Sequence, residues 1–122
     1  MKYKTDFGQF ISEQKAKISL QSQELAKILG ISLGYLSQLE HGKRKCPDVR
    51  LLQKMIEVFD LSAEEINVLY DLYSDASGQI SPDIAEYIQS NRIVKKALRY
   101  ARDVSAKDED WVQFIESLKN EQ

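Results

Sequence analysis

The side chains that most often carry chemistry are thinly spread in this chain. It has one histidine, His41, and one cysteine, Cys46. With no second His or Cys to join them, they offer neither a His-based dyad nor a pair of zinc ligands. Asp108, Glu109 and Asp110 stand together, but at the head of a helical stretch, where carboxylates answer the positive end of the helix dipole. The glycines are scattered and form no phosphate-cradling loop. These residues predict no enzyme, no metal site and no cofactor. What remains is the run Lys43, Arg44, Lys45, cations of the kind that either meet phosphate or simply face water.

A net charge of −2 argues against a nucleic-acid partner until its distribution is read. Residues 1–60 carry ten Lys/Arg against seven Asp/Glu, a net +3, and residues 61–122 carry seven against twelve, a net −5. A basic half joined to an acidic half fits a protein with one end that meets phosphates and another that does not. The apolar share of 43% suits a packed core. Only 5 Gly and 2 Pro leave little punctuation for strands and turns, so helices joined by short loops are expected. No apolar run is long enough to span a membrane, and MKYKTDFGQF lacks the apolar stretch of a secretory leader. The unpaired Cys46 suits a reducing compartment, and the expected location is cytoplasmic.

Periodicity then gives the elements that must position any site. Phe7, Phe10, Ile11 and Ile18 mark a first helix over residues 5–17. Leu25, Ala26, Ile28 and Leu29 form a short second one, stopped by Gly30. Ser32 caps a third helix running to Glu40, with Leu36 and Leu39 inward. A fourth helix buries Leu51, Leu52, Met55, Ile56 and Phe59. Ser62 with Glu65 is a capping box that opens a fifth, with Ile66, Leu69, Tyr70 and Tyr73 inward. Residues 74–81 read as a linker. Ser81-Pro82 then starts a helix with Ile84, Ala85 and Ile88 beyond it. Ser90 or Asn91 caps the next, on which Val94, Ala97, Leu98 and Ala101 share a face. Ser105 with Asp108 caps the last, where Trp111, Phe114, Ile115 and Leu118 fall at i, i+3, i+4 and i+7. The fold expected is all-α.

Residues 22–40, SQELAKILGISLGYLSQLE, have the spacing of a helix-turn-helix. Ala26 lets two helices approach closely, Gly30 makes the turn, and Leu25, Leu29, Ile31, Leu36 and Leu39 bury the inner faces. The second helix would then stand out at an angle that fits a major groove about 12 Å wide. An ordinary helical hairpin has the same spacing, so this stretch alone leaves both readings open.

The longer run decides between them. ELAKILGIS, YLSQLEHGKRK and LLQKMIEVFDLS follow in the order and spacing of the Cro and phage-repressor type of helix-turn-helix, and the chain to about residue 73 resembles this Xre family. The resemblance implies a five-helix phage-repressor-like DNA-binding domain over residues 1–73, acting as a dimer on double-stranded DNA. It places Ser22 and Gln23 at the DNA backbone, and Ser32, Leu33, Gly34, Tyr35 and Gln38 on or beside the base-facing side of the recognition helix. Lys43, Arg44 and Lys45 fall where the family meets phosphate. Lys15 and Glu40 match a structural ion pair tying the first helix to the end of the third. Leu33 and Gly34 offer no hydrogen bond to a base, so Gln38 is the expected reader, through adenine N6 and N7. Tyr35 could bond a phosphate or pack on the second helix.

Beyond the linker, residues 82–120 are expected to form about three further helices. This tail is similar to those that follow the same domain in many regulators of Gram-positive bacteria and their mobile elements, some of them encoded beside a toxin or a metallopeptidase. Val94, Leu98, Trp111, Phe114, Ile115 and Leu118 make a stripe that must be covered, by the chain itself, by a second copy or by such a protein partner. The function expected is a sequence-specific transcriptional repressor on an inverted-repeat operator. The alternative is an antitoxin or immunity-type regulator.

Overall fold

Apolar spacing and capping chemistry divide the described residues into eight α-helices: α1 (Phe7–Ile18), α2 (Ser22–Leu29), α3 (Leu33–Glu40), α4 (Val49–Phe59), α5 (Ala63–Ser77), α6 (Pro82–Gln89), α7 (Arg92–Asp103) and α8 (Asp108–Asn120). There is no strand among the described residues. The structure is a computed structural model that describes residues 6–122, so the expected helix position at Thr5 and the leader reading of residues 1–5 lie outside it. The chain divides into two units, Met1–Asp83 and Ile84–Gln122.

Caps set the first unit's helix boundaries. The Asp6 carboxylate accepts the Gln9 N–H at 2.8 Å and opens α1. Ser32 Oγ accepts the Tyr35 N–H at 3.0 Å and opens α3. Ser62 Oγ accepts the Glu65 N–H at 3.1 Å while Glu65 Oε1 accepts the Ser62 N–H at 2.9 Å, the reciprocal box expected for α5. Each such cap contributes about 1 kcal/mol. Gly30 closes α2 in the left-handed region at φ 74°, which its missing Cβ permits.

The core they enclose comprises Phe7, Phe10 and Ile11 of α1, Leu25, Ala26 and Leu29 of α2, Leu36 and Leu39 of α3, Leu51, Leu52, Met55 and Phe59 of α4, then Leu61 and Leu69. Ile56, Ile66, Tyr70 and Tyr73 pack against its edge, partly buried. Ile28, which helps mark α2 in the sequence, lies outside this core at 54% exposed, because only Leu25, Ala26 and Leu29 of α2 turn inward. Gly8 is what lets α1 lie against the end of α3, since a Cβ there would run into the Glu40 carbonyl.

Polar ties lock the same packing. Glu65 Oε2 accepts from Lys17 Nζ at 2.7 Å and from Gln14 Nε2 at 3.2 Å, joining α1 to α5. Lys17, then the Ser62 amide, then Gln14 hold the Glu65 carboxyl down at about 2 from an ordinary 4.5. Lys54 Nζ reaches the Leu29 carbonyl at 3.2 Å, a cation at the negative end of α2.

α5 runs on to Ser77, so the connection to α6 is shorter than the residue 74–81 linker read from composition. The small polar residues at 74–77 stay helical, and Gly78 ends the helix at φ 74°. In the second unit Asn91 Oδ1 accepts the Val94 N–H at 3.3 Å and opens α7. Ser105 is not the cap of α8. It lies in the left-handed region at φ 55°, and Asp110 Oδ2 instead accepts the Lys107 N–H at 2.9 Å. No residue of α6, α7 or α8 is buried. No helix of the described residues is long and apolar enough to cross a membrane.

Candidate nucleic-acid interface

α2 and α3 are joined by the Gly30 turn and held from behind by α1 and α4, so α3 is fixed while one of its faces stays open. Leu36 and Leu39 are fully buried behind it. On the open side Leu33 is 48% exposed, and Ser32, Gly34 and Gln38 are exposed with it. Gly34 has open space around it: a Cβ there would meet nothing nearer than Ser32 Oγ at 3.9 Å. Among the described residues nothing engages the side-chain amide of Gln38, which leaves its donors and acceptor available.

The loop after α3 is tied to it. The Gln38 carbonyl accepts both the Lys43 N–H at 2.9 Å and the Arg44 N–H at 3.0 Å. Lys43, Arg44 and Lys45 are all exposed there. His41, at the helix end, keeps Nδ1 2.8 Å from the Ser37 carbonyl. Cys46 is half-buried, and that burial pushes its thiol up, away from the reactive thiolate. Among the described residues no group of His, Cys, Asp and Glu is placed to hold a metal ion.

Lys15 Nζ lies 2.6 Å from Glu40 Oε2, linking α1 to the end of α3, and Glu40 is the more enclosed partner. Ser22 completes the cluster, its Oγ accepting from Lys15 and standing 3.1 and 3.2 Å from the two Glu40 oxygens. The serine hydroxyl expected at the DNA backbone is therefore already engaged inside the domain. Gln23, beside it, is exposed. An open groove walled by Lys15, Gln21, Ser22 and Gln23 reaches to Leu33.

Tyr35 is partly buried against the core and makes two contacts that the sequence did not suggest. Its hydroxyl accepts the Asp48 N–H at 3.0 Å, at the head of α4, and its ring lies under Arg44 with the guanidinium carbon 4.7 Å from the centroid. Such a contact contributes about 0.5–1 kcal/mol at an exposed site. Asp48 is occupied by Arg50, whose hydrogen bond holds that carboxyl below the usual range.

In the second unit, the stripe residues form no core. Val94 is half-buried, whereas Leu98, Trp111, Phe114, Ile115 and Leu118 are between 38% and 52% exposed. Trp111 and Phe114 meet edge to face with centroids 6.3 Å apart. Sequence reasoning also missed that α7 is basic, carrying Arg92, Lys95, Lys96, Arg99 and Arg102 against one acid, Asp103, inside an acidic half.

Residues 13–66 match the family model described as helix-turn-helix. No curated protein and no solved structure matches the chain significantly. The matched span runs from α1 into α5 and contains α2, the Gly30 turn, α3 and the basic loop. Over residues 13–66 the chain therefore carries a domain similar to the Xre-type helix-turn-helix, the fold that DNA-binding regulators of this kind share.

Proposed function

We propose that the protein is a repressor that binds an inverted-repeat operator as a homodimer, with α3 in the major groove of each half-site. The observation that carries this reading is the open face of α3: Leu33, Gly34 and the unengaged Gln38 stand exposed beside three exposed cations. In this arrangement Gln38 bonds an adenine edge and Leu33 meets a thymine methyl. Lys43, Arg44 and Lys45 neutralise phosphates, and Gln23 with the start of α2 meets the backbone. The Lys15–Glu40 pair, with Ser22, fixes the angle between α1 and α3 and touches no base.

Residues 82–120 supply the dimer contact in this reading. Their support is the stripe of Val94, Leu98, Trp111, Phe114, Ile115 and Leu118, apolar surface left open on one chain. The protein works in the cytoplasm, where its operator is. Selection of bound sequences from random duplex DNA tests the function. Two half-sites in inverted orientation, about one helical turn apart, are expected. A single unpaired motif would keep DNA binding and overturn the dimer. A full chain that sediments as a monomer would assign the stripe to a different protein, as an antitoxin or immunity-type regulator requires.

A further inference from the structure

Among the described residues, Arg44 is the one cation of the basic loop whose side chain the domain itself holds. The Tyr35 ring lies under its guanidinium at 4.7 Å, while Asp48 pairs with Arg50 and leaves Arg44 without a carboxylate among the described residues. A guanidinium stacked on a ring keeps its N–H edges outward, where they can take a phosphate by two parallel hydrogen bonds. Tyr35 is itself fixed at both ends, by its place on α3 and by the Asp48 N–H on its hydroxyl. We propose that Tyr35 is a positioning residue that presents Arg44 to a DNA phosphate, setting affinity for every sequence while choosing no base. The proposal rests on the DNA-binding reading above and deepens it.

The test is a double-mutant cycle on the full chain, with affinity for a random-sequence duplex measured at several salt concentrations. Arg44→Ala should lower the slope of log K against log salt by about one, the signature of one lost phosphate. Tyr35→Leu should lower the slope in the same direction and weaken binding several-fold on all duplexes. Tyr35→Phe, which keeps the ring, should retain the slope. In the Arg44→Ala background Tyr35→Leu should add no further loss. A wild-type slope in Tyr35→Leu, losses that multiply in the double variant, or a reordered ranking of single-base duplex variants would each overturn the proposal. Should Tyr35→Leu fail to fold, the ring-current shift of the Arg44 δ-methylene protons remains as a reading. It is expected in wild type and Tyr35→Phe alike, and its absence from the wild type overturns the platform. A wild-type chain that binds no duplex defeats the DNA-binding reading itself, whereas binding without coupling defeats only the role of Tyr35.

Discussion

The two units of this chain treat apolar surface in opposite ways. Among the described residues the first buries fourteen apolar side chains, from Phe7 to Leu69, behind helices whose ends are capped by their own side chains. The second buries none, although Trp111, Phe114, Ile115 and Leu118 keep helical spacing along α8. Helices of 8, 12 and 13 residues without a core are marginal in water, so the second unit depends on what it meets. The difference separates a core that holds the first unit in shape from an apolar surface that, in the proposed reading, brings two copies together.

Removing the second unit gives the largest expected effect. A chain ending after Ile80 keeps α1–α5 with their whole core and should unfold cooperatively with helical content intact. Its operator affinity should fall by about a hundredfold or more, because each half-site loses the tethering of the other. Circular dichroism, sedimentation and DNA titration check the three parts, and an unchanged oligomer with unchanged affinity would remove the tail from the dimer.

Paired truncations sharpen the contrast. Leu36→Ala, at a fully buried site, should cost about 2–5 kcal/mol in denaturant unfolding. Phe114→Ala, at a site 52% exposed, should leave the first unit's unfolding unchanged and shift only the association equilibrium. Two glycines make the same point on a finer scale. Gly8→Ala should destabilise by about 1–3 kcal/mol, since its Cβ collides with the Glu40 carbonyl. Gly34→Ala, with open space and an ordinary helical backbone, should stabilise α3 by about 0.5–1 kcal/mol.

The smallest effect is a pH dependence inside the first unit. Glu65 is depressed on folding, chiefly by Lys17, so it stabilises the fold above its unfolded value near 4.5. That contribution is lost as pH falls from about 4.5 towards 2. Solvent screening of the exposed Lys17 limits it to about 1 kcal/mol. Glu65→Gln should flatten stability against pH within that window, and an unaltered profile would discount the pair.

Much of this was legible in the sequence because it repeats at short range. The stripes of α1, α4 and α5, the Gly30 turn and the Ser62–Glu65 box are all patterns within one or two turns. The contacts that lock the helices to one another have no such period. Gln14 and Lys17 reach Glu65 across 51 and 48 residues, Lys54 reaches Leu29 across 25, and Tyr35 meets Asp48 through a loop. Gly8 carried no signal of its own, since only the packed position of the Glu40 carbonyl makes it necessary. At the candidate site, Gln38 and Leu33 could be placed on the open face of α3, while the engagement of Ser22 and Tyr35 inside the domain could not. Composition misled at residues 74–77, where small polar residues continue α5 as helix.

Titration of the full chain against duplex DNA over a range of salt concentrations bears most directly on the account. Binding is predicted to fall linearly in log K against log salt, with a slope that records the phosphates met by Lys43, Arg44, Lys45 and their partners on the second copy. Gln38→Ala should keep that slope while relaxing preference at one base pair per half-site, a loss of about 1–3 kcal/mol. Affinity that stays flat with salt, or no binding at low salt, would contradict the claim that the exposed face of α3 and its basic loop form a DNA-reading surface.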